Sequence, residues 1–384
     1  MRGLVLEGKG CVMVVVLGAI TSIATAPWAR GQVETATVTV PGNASGYFGS
    51  NSGGGNTSPV VPLIPAVSVS GPSTITIKYL SGYVTDCCGY DQVGPEGFSY
   101  DATGAQTPLQ EASAFSGGTV PNLDALMGTF VSQARLNRSD FKPVDGAKAI
   151  APAAIAADLL FFIGEGKTIQ TPGAGTLYLG INDWYVGDNG GEFVVQVKAT
   201  PPPFNPSTQF SVTKNPNGVW SYGWEQSRGS ALNLYTQTVS VNSVIGWTTP
   251  SKVDGGVFNN PTDAPITIGT VTTPAMSAAF SPGPQNQNAV FRWTAPFSGQ
   301  YAVSAKFYGV DYVGPTTSDV SILHNDTQLF AAYVNGYGPS SNQSYAGTLS
   351  ISKGDTLDFT CGYGDNGNYY YDTTGLVVTI TQVE

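Results

Sequence analysis

Short runs in which Val, Thr, Ile or Tyr alternate with polar residues recur along this chain, and Gly, Pro or Asn interrupts nearly every one. Such alternation suits a pleated strand, whose side chains face opposite sides in turn, and the breakers suit the turns between strands. The clearest runs in the first half are Val33–Val40, Ser73–Tyr79, Leu126–Ser132, Leu159–Ile163, Gly175–Ile181 and Glu192–Lys198. The second half adds Ala289–Ala295, Gly299–Tyr308, Asp319–His324, Gln328–Tyr333, Ala346–Ile351, Thr356–Gly362 and Gly375–Val383. Asn325-Asp326, between two of them, reads as a hairpin turn. With 48 Gly and 26 Pro in 384 residues, long helices and coiled coils are excluded. Ala147–Asp158 has helical composition, but Pro152 argues for a loop.

Charged residues make up only 11% of the chain, against about 25% in an ordinary soluble domain. Apolar residues at 41% still suffice for real cores, so low charge here does not mean disorder. The expected fold is all-β, with two antiparallel β-sandwich domains of jelly-roll, galactose-binding-like type. Ala199-Thr200-Pro201-Pro202-Pro203-Phe204-Asn205-Pro206 is too rich in proline for a sheet interior and marks a boundary. The domains are placed at residues 33–200 and 208–384, with residues 201–207 as a Pro-rich linker.

Residues 1–31 carry Arg2 and Lys9, an apolar run from Cys11 to Ile20, and small residues up to Gly31. This is the pattern of a secretory signal peptide. A membrane anchor is the other reading, but the apolar run falls short of the ~20 residues that a spanning helix needs. The expected product is secreted or held at the cell surface without a membrane span. A formal net charge of −10 repels phosphate backbones and gives no footprint for nucleic acid.

The most informative stretch runs from Gly175 to Val197. A strand delivers Asn182 and Asp183, a loop adds Trp184, Tyr185, Asp188 and Asn189, and a second strand leaves. Calcium takes six to eight oxygen ligands from carboxylates, amides and main-chain carbonyls, at about 2.3 to 2.6 Å. Asp183, Asp188 and Asn189 would supply part of that shell. In the alternative reading, Asp188-Asn189-Gly190 is only a polar turn.

These segments, together with Gly82-Tyr83, Gly94-Pro95-Glu96-Gly97 and Leu126-Met127-Gly128-Thr129-Phe130, resemble the bacterial calcium-dependent galactophilic lectins of the PA-I type over residues 33–200. The resemblance implies an exported bacterial lectin whose calcium ion ligates sugar hydroxyls directly. It implies side-chain ligands Asp183, Asp188 and Asn189, with main-chain carbonyls from Tyr185 and from around Cys87. Glycans or glycoconjugates would be the partners, and avidity would come from two domains or a homo-oligomer. The loop between Asp183 and Asp188 is shorter than the family's. Its galactose-fixing His and Gln have no counterpart, since the single His is His324, so galactose specificity is not implied.

Trp184 and Tyr185 beside this loop would either stack on a pyranose face or belong to the core. Cys87-Cys88 would close a strained ring, stay as buried thiols, or form one bridge to Cys361. In the second domain, Phe291-Arg292-Trp293-Thr294-Ala295-Pro296 and Gly299-Gln300-Tyr301-Ala302-Val303 resemble a strand pair of exported carbohydrate-binding jelly rolls. Asn215–Trp224 reads as a hairpin that exposes aromatic rings. Cys361–Asp372 repeats the strand, Asp-Asn-Gly and strand order, so that Asp365, Asn366 and Asp372 form either a second cation or sugar site or a long polar hairpin.

A single histidine leaves no Ser-His-Asp or Cys-His machinery and no His₂ or His₃ zinc centre. Glycoside hydrolysis needs only two carboxylates across a cleft, and Glu96, Glu165, Glu192 and Glu225 are available for it. The expected function is calcium-dependent carbohydrate binding without catalysis. A surface-matrix protein with a structural calcium is the alternative, followed by a glycoside hydrolase.

Overall fold

The computed structural model describes residues 33–44, 63–85, 92–98, 122–137, 160–183, 189–250 and 255–383. The signal-peptide region 1–31 and the stretch Ala147–Asp158 lie outside the described residues. The first half supplies β1 (Glu34–Pro41), β2 (Ile64–Val69), β3 (Ser73–Thr85), β4 (Gln92–Val93), β5 (Leu126–Ser132), β6 (Leu160–Phe162), β7 (Gly166–Thr171), β8 (Gly175–Ile181) and β9 (Gly190–Thr200). One helical turn, Gln133–Leu136, follows β5.

Two antiparallel sheets result. One runs β1-β9-β3-β4, with β7 also on β3, and the other runs β2-β8-β5-β6. Val38 and Val40 of β1, Ile75 and Ile77 of β3, and Phe193, Val195 and Val197 of β9 point inward at every second position. They meet Leu177, Leu179 and Ile181 of β8 in one hydrophobic core. Gly82 sits beyond the bulge in β3 at φ 107°, where a Cβ would lie 2.1 Å from the Glu192 carbonyl oxygen, so only glycine lets the two strands approach.

The second half contains β10 (Trp220–Glu225), β11 (Asn233–Leu234), β12 (Gln237–Val241), β13 (Val244–Thr248), β14 (Gly256–Asn260), β15 (Ile266–Ile268), β16 (Val271–Thr273), β17 (Ser277–Ser281), β18 (Asn288–Thr294), β19 (Gly299–Gly309), β20 (Asp319–His324), β21 (Thr327–Tyr333), β22 (Gln343–Ile351), β23 (Thr356–Gly362) and β24 (Thr374–Val383). A sheet ordered β11-β10-β18-β23-β20-β21 faces one ordered β12-β13-β14-β17-β24-β19-β22. From β18 onward, most successive strands change sheets, which is how a jelly roll wraps a core. Asn325 and Asp326 turn the β20–β21 hairpin with φ of 48° and 64°, the left-handed pair that a two-residue hairpin needs.

The second core is aromatic. Trp220, Tyr222, Phe280, Phe291, Trp293, Tyr301, Phe307 and Phe359 are fully buried. Trp293 meets Tyr301 edge-on with centroids 5.1 Å apart. This corrects the expectation of exposed rings at Asn215–Trp224. Trp220 and Tyr222 alternate inward from β10, and the Trp220 indole N–H donates to Gln209 Oε1 at 2.9 Å, so burying the indole costs it no hydrogen bond. The chain leaves β9 at Thr200, and Phe204 already pairs with Ile380 of β24 and packs on Trp293. Cys361 is a free thiol inside the second core, pushed up to about 12 by burial, and forms no bridge to Cys87 or Cys88. Among the described residues, no helix is long and apolar enough to cross a membrane.

Candidate functional site

Antiparallel register builds the first candidate site. Leu126 of β5 lies opposite Ile181 of β8, so the residues entering β5 meet those leaving β8. The Asp124 N–H donates to the Asn182 carbonyl at 2.9 Å, and the Asn182 N–H returns a bond to Ala125 at 2.9 Å. Asn182 Nδ2 donates to the Asn122 carbonyl at 2.8 Å. From the start of β9, Asn189 Nδ2 donates to Asp124 Oδ1 at 2.8 Å and to the Gly42 carbonyl at 3.2 Å. Asp124 holds φ 60°, a left-handed conformation that Asp adopts more readily than most residues.

Asp124, Asn182 and Asp183 are buried. Burying two carboxylates at one sheet end carries a desolvation cost that a divalent cation would offset. The Asn189 amide is anchored through its nitrogen, and its buried Oδ1 accepts no hydrogen bond among the described residues. An acceptor left so costs about 1–3 kcal/mol. Carboxylate and amide oxygens suit a hard cation such as calcium rather than a thiolate- or imidazole-seeking metal. Among the described residues, no three His, Cys, Asp or Glu side chains gather closely enough to hold a metal ion alone. A full calcium shell would therefore draw on amide and main-chain oxygens as well.

The structure thus brings Asn189 to Asp124, with Asp183 directly following Asn182. Trp184, Tyr185, Asp188 and Cys87 lie outside the described residues. Asp124 escaped the sequence reading. Its signal was an Asn-x-Asp placed just before a strand, which becomes meaningful only once β5 and β8 are in register.

The second candidate site forms at one end of the second sandwich. Asp372 is buried, and its Oδ1 accepts from the Thr317 N–H at 3.1 Å and from Thr317 Oγ1 at 2.8 Å. Burial pushes the carboxyl up to about 6 against the opposing pull of these bonds. Thr317 Oγ1 in turn accepts from Asn366 Nδ2. Asp365, by contrast, stands exposed on the turn. The structure joins Asn366 to Asp372 through Thr317, and Asp365 takes no part in that network. A cavity of about 550 Å³ opens over this network, lined by Pro315, Thr317, Asn366, Asn368, Tyr370 and Tyr371.

Of the carboxylates considered for hydrolysis, Glu96 and Glu165 are neighbours, whereas Glu192 and Glu225 lie on β9 and β10. Glu96 Oε1 accepts the Glu165 backbone N–H at 2.9 Å, with both side chains at the surface of the first sandwich. Glu192 is exposed on β9. Glu225 is sealed from solvent beside Asp358, which Arg292 holds through a fork of 2.6 and 2.5 Å. Burial pushes Glu225 up to about 7, and its Oε2 accepts the Gly229 N–H at 2.9 Å. That arrangement is a buried ion-pair network.

No protein-family model matches the chain. No curated protein matches its sequence either. Solved structures similar to part of it include a family 51 carbohydrate-binding module from Clostridium perfringens in complex with methyl-galactose, at 8% identity and TM-score 0.23, covering 39% of this chain and 95% of the module. A family 35 carbohydrate-binding module from Clostridium thermocellum matches at 10% identity and TM-score 0.21, covering 38% of this chain and 98% of the module. Rabbit GITRL matches at 14% identity and TM-score 0.17, covering 25% of this chain and 71% of that protein. Scores this low place no constraint on function.

Proposed function

We propose that this protein is an exported carbohydrate-binding protein whose first sandwich holds a calcium ion that helps bind sugar hydroxyls. The observation that supports this reading is the meeting of Asn189 with Asp124 beside the strand end that carries Asn182 and buried Asp183, with a buried Asn189 oxygen left open. Calcium would be held by Asp124, Asp183 and Asn189 together with Asp188 and main-chain carbonyls of the adjoining loop. Vicinal hydroxyls would then replace water on the ion. A glycan array on the full chain, run with calcium and again with a chelator, tests this. Signal should require calcium and fall at least tenfold in Asp183→Ala and Asp124→Ala, and signal indifferent to all three changes would reject the site.

A structural calcium is the second reading, favoured by the burial of Asp124 and Asp183, which leaves little of either carboxylate facing outward. It gives calcium-dependent melting with no calcium-dependent glycan signal.

A further inference from the structure

The loops that gather at the Asp372 end of the second sandwich carry exposed tyrosines. Tyr370 is 60% exposed, Tyr312 52%, Tyr371 48% and Tyr337 47%. Large apolar side chains that share a stretch of surface mark a place where something binds. These rings are held in position. Tyr370 stacks on Tyr369 with centroids 4.6 Å apart, and Tyr312 meets Tyr337 edge-on at 6.3 Å. Tyr371 stands at φ 66°, a backbone conformation strained for a bulky residue. Its ring lies over Gly314, where an added Cβ would come within 2.9 Å of it. Strain of this kind persists only where the surroundings enforce it, and ligand sites are where it collects.

Beneath the rings, a hydrogen-bond relay fixes the polar floor. It starts at Asp372, passes to Thr317 and Asn366, and continues as Asn366 Oδ1 accepts the Asn368 N–H at 2.9 Å. Asn368 Oδ1 then accepts the Tyr370 N–H at 2.9 Å. Asn368 spends one amide hydrogen on the Asn366 carbonyl and keeps one hydrogen and one lone pair for a ligand. A floor fixed before binding loses little entropy when a ligand arrives.

We propose that the pocket of Thr317, Asn366, Asn368, Tyr370 and Tyr371 is a second glycan site, taking a neutral saccharide without calcium. Tyrosine faces cover the apolar side of a pyranose, and amide and hydroxyl groups meet its hydroxyls. No charged side chain lines the cavity. Exposed Asp365 beside it and a chain charge of −10 disfavour acidic sugars. The inference rests on the reading that the protein binds glycans, but not on the calcium site.

The test measures binding of the full chain to cellobiose, maltose, lactose, mannobiose, xylobiose and an oligogalacturonate, in excess EDTA and again with calcium, with amide NMR shifts as the readout. The expected result is binding with shifts at Thr317, Asn368 and Tyr370, weakened at least tenfold by Tyr370→Ala and by Tyr371→Gly. Tyr371→Gly removes the ring while easing the left-handed backbone, so loss of binding there is not loss of folding. Binding that needs calcium and ignores both tyrosine changes overturns this site alone. Binding confined to acidic oligosaccharides overturns the neutral assignment, and no glycan bound with or without calcium overturns both this site and the function it rests on.

Discussion

The polar end of the first sandwich and the tyrosine-bearing end of the second hide and display opposite things. In the first, carboxylates and amides are drawn inward, and among the described rings Tyr83 alone is exposed while Tyr79, Phe130, Phe161 and Phe193 pack in or against the core. In the second, the carboxylate of Asp372 lies beneath the surface as a brace, and tyrosines stand out into solvent. Buried oxygens call for a cation, whereas exposed rings call for an apolar face. The same outline of strand, Asp-Asn and glycine turn, and strand therefore ends in two different chemistries, decided by which side chain the sheet register turns inward.

The comparison breaks most sharply if the two ends are not energetically separate. Trp293→Ala should cost about 3–5 kcal/mol and lower the second sandwich's melting transition by roughly 10 °C, leaving any calcium-dependent transition in place. Differential scanning calorimetry reads this, and a joint collapse of both transitions would contradict it. Next in size is calcium itself. At a hundredfold excess over Kd, a bound ion adds about 2.7 kcal/mol, so EDTA should lower the first transition by roughly 5–10 °C in the parent chain and hardly at all in Asp183→Ala.

The brace gives a pH signature of its own. In the unfolded chain the Asp372 carboxyl titrates near its ordinary value of 3.8, and in the fold burial raises it to about 6. Between those values the folded state keeps a proton that the unfolded state has lost. Stability therefore declines as pH rises from about 4 to about 6, then levels off. Glu225, raised from 4.5 to about 7 by burial, contributes in the same direction over a range reaching to neutrality. Asp372→Asn should remove the lower part of that slope in urea titrations, and an unchanged slope would show that Asp372 titrates normally. The smallest effect is expected from Gly314→Ala, where the added methyl crowds Tyr371. Overpacking of ~1 kcal/mol would weaken saccharide binding about fivefold, measured by the same NMR titration.

Much of the fold was legible because strong alternation and flanking breakers coincide with real strands. Leu126–Ser132, Gly175–Ile181, Asp319–His324 and Thr356–Gly362 are strands with the expected bounds. The strands from β10 to β17 were harder to see. Gly246 and Gly256 look like loop residues, yet each lies in a strand beneath the ring of Phe258, and a Cβ at Gly246 would come 2.7 Å from that ring. For Gly246 the deciding ring sits directly opposite on the adjacent strand, and for Gly256 two residues along its own strand, which local propensity cannot show. The same limit hid Asp124. Asp183 and Asn189 announced themselves by clustering in sequence, whereas Asp124 reaches Asn189 from 65 positions away, through the pairing of β5 with β8. In the second site, Asn366 and Asp372 were visible as a polar turn. Thr317, which links them, comes from another loop.

The central claim is that the oxygens of Asp124, Asp183 and Asn189 share one divalent ion. Isothermal titration of calcium chloride into the chelator-treated full chain tests it most directly. One saturable site in the first sandwich is expected, weakened at least tenfold by Asp124→Asn. Titration heats no larger than dilution, or binding of the same strength in Asp124→Asn, would contradict it.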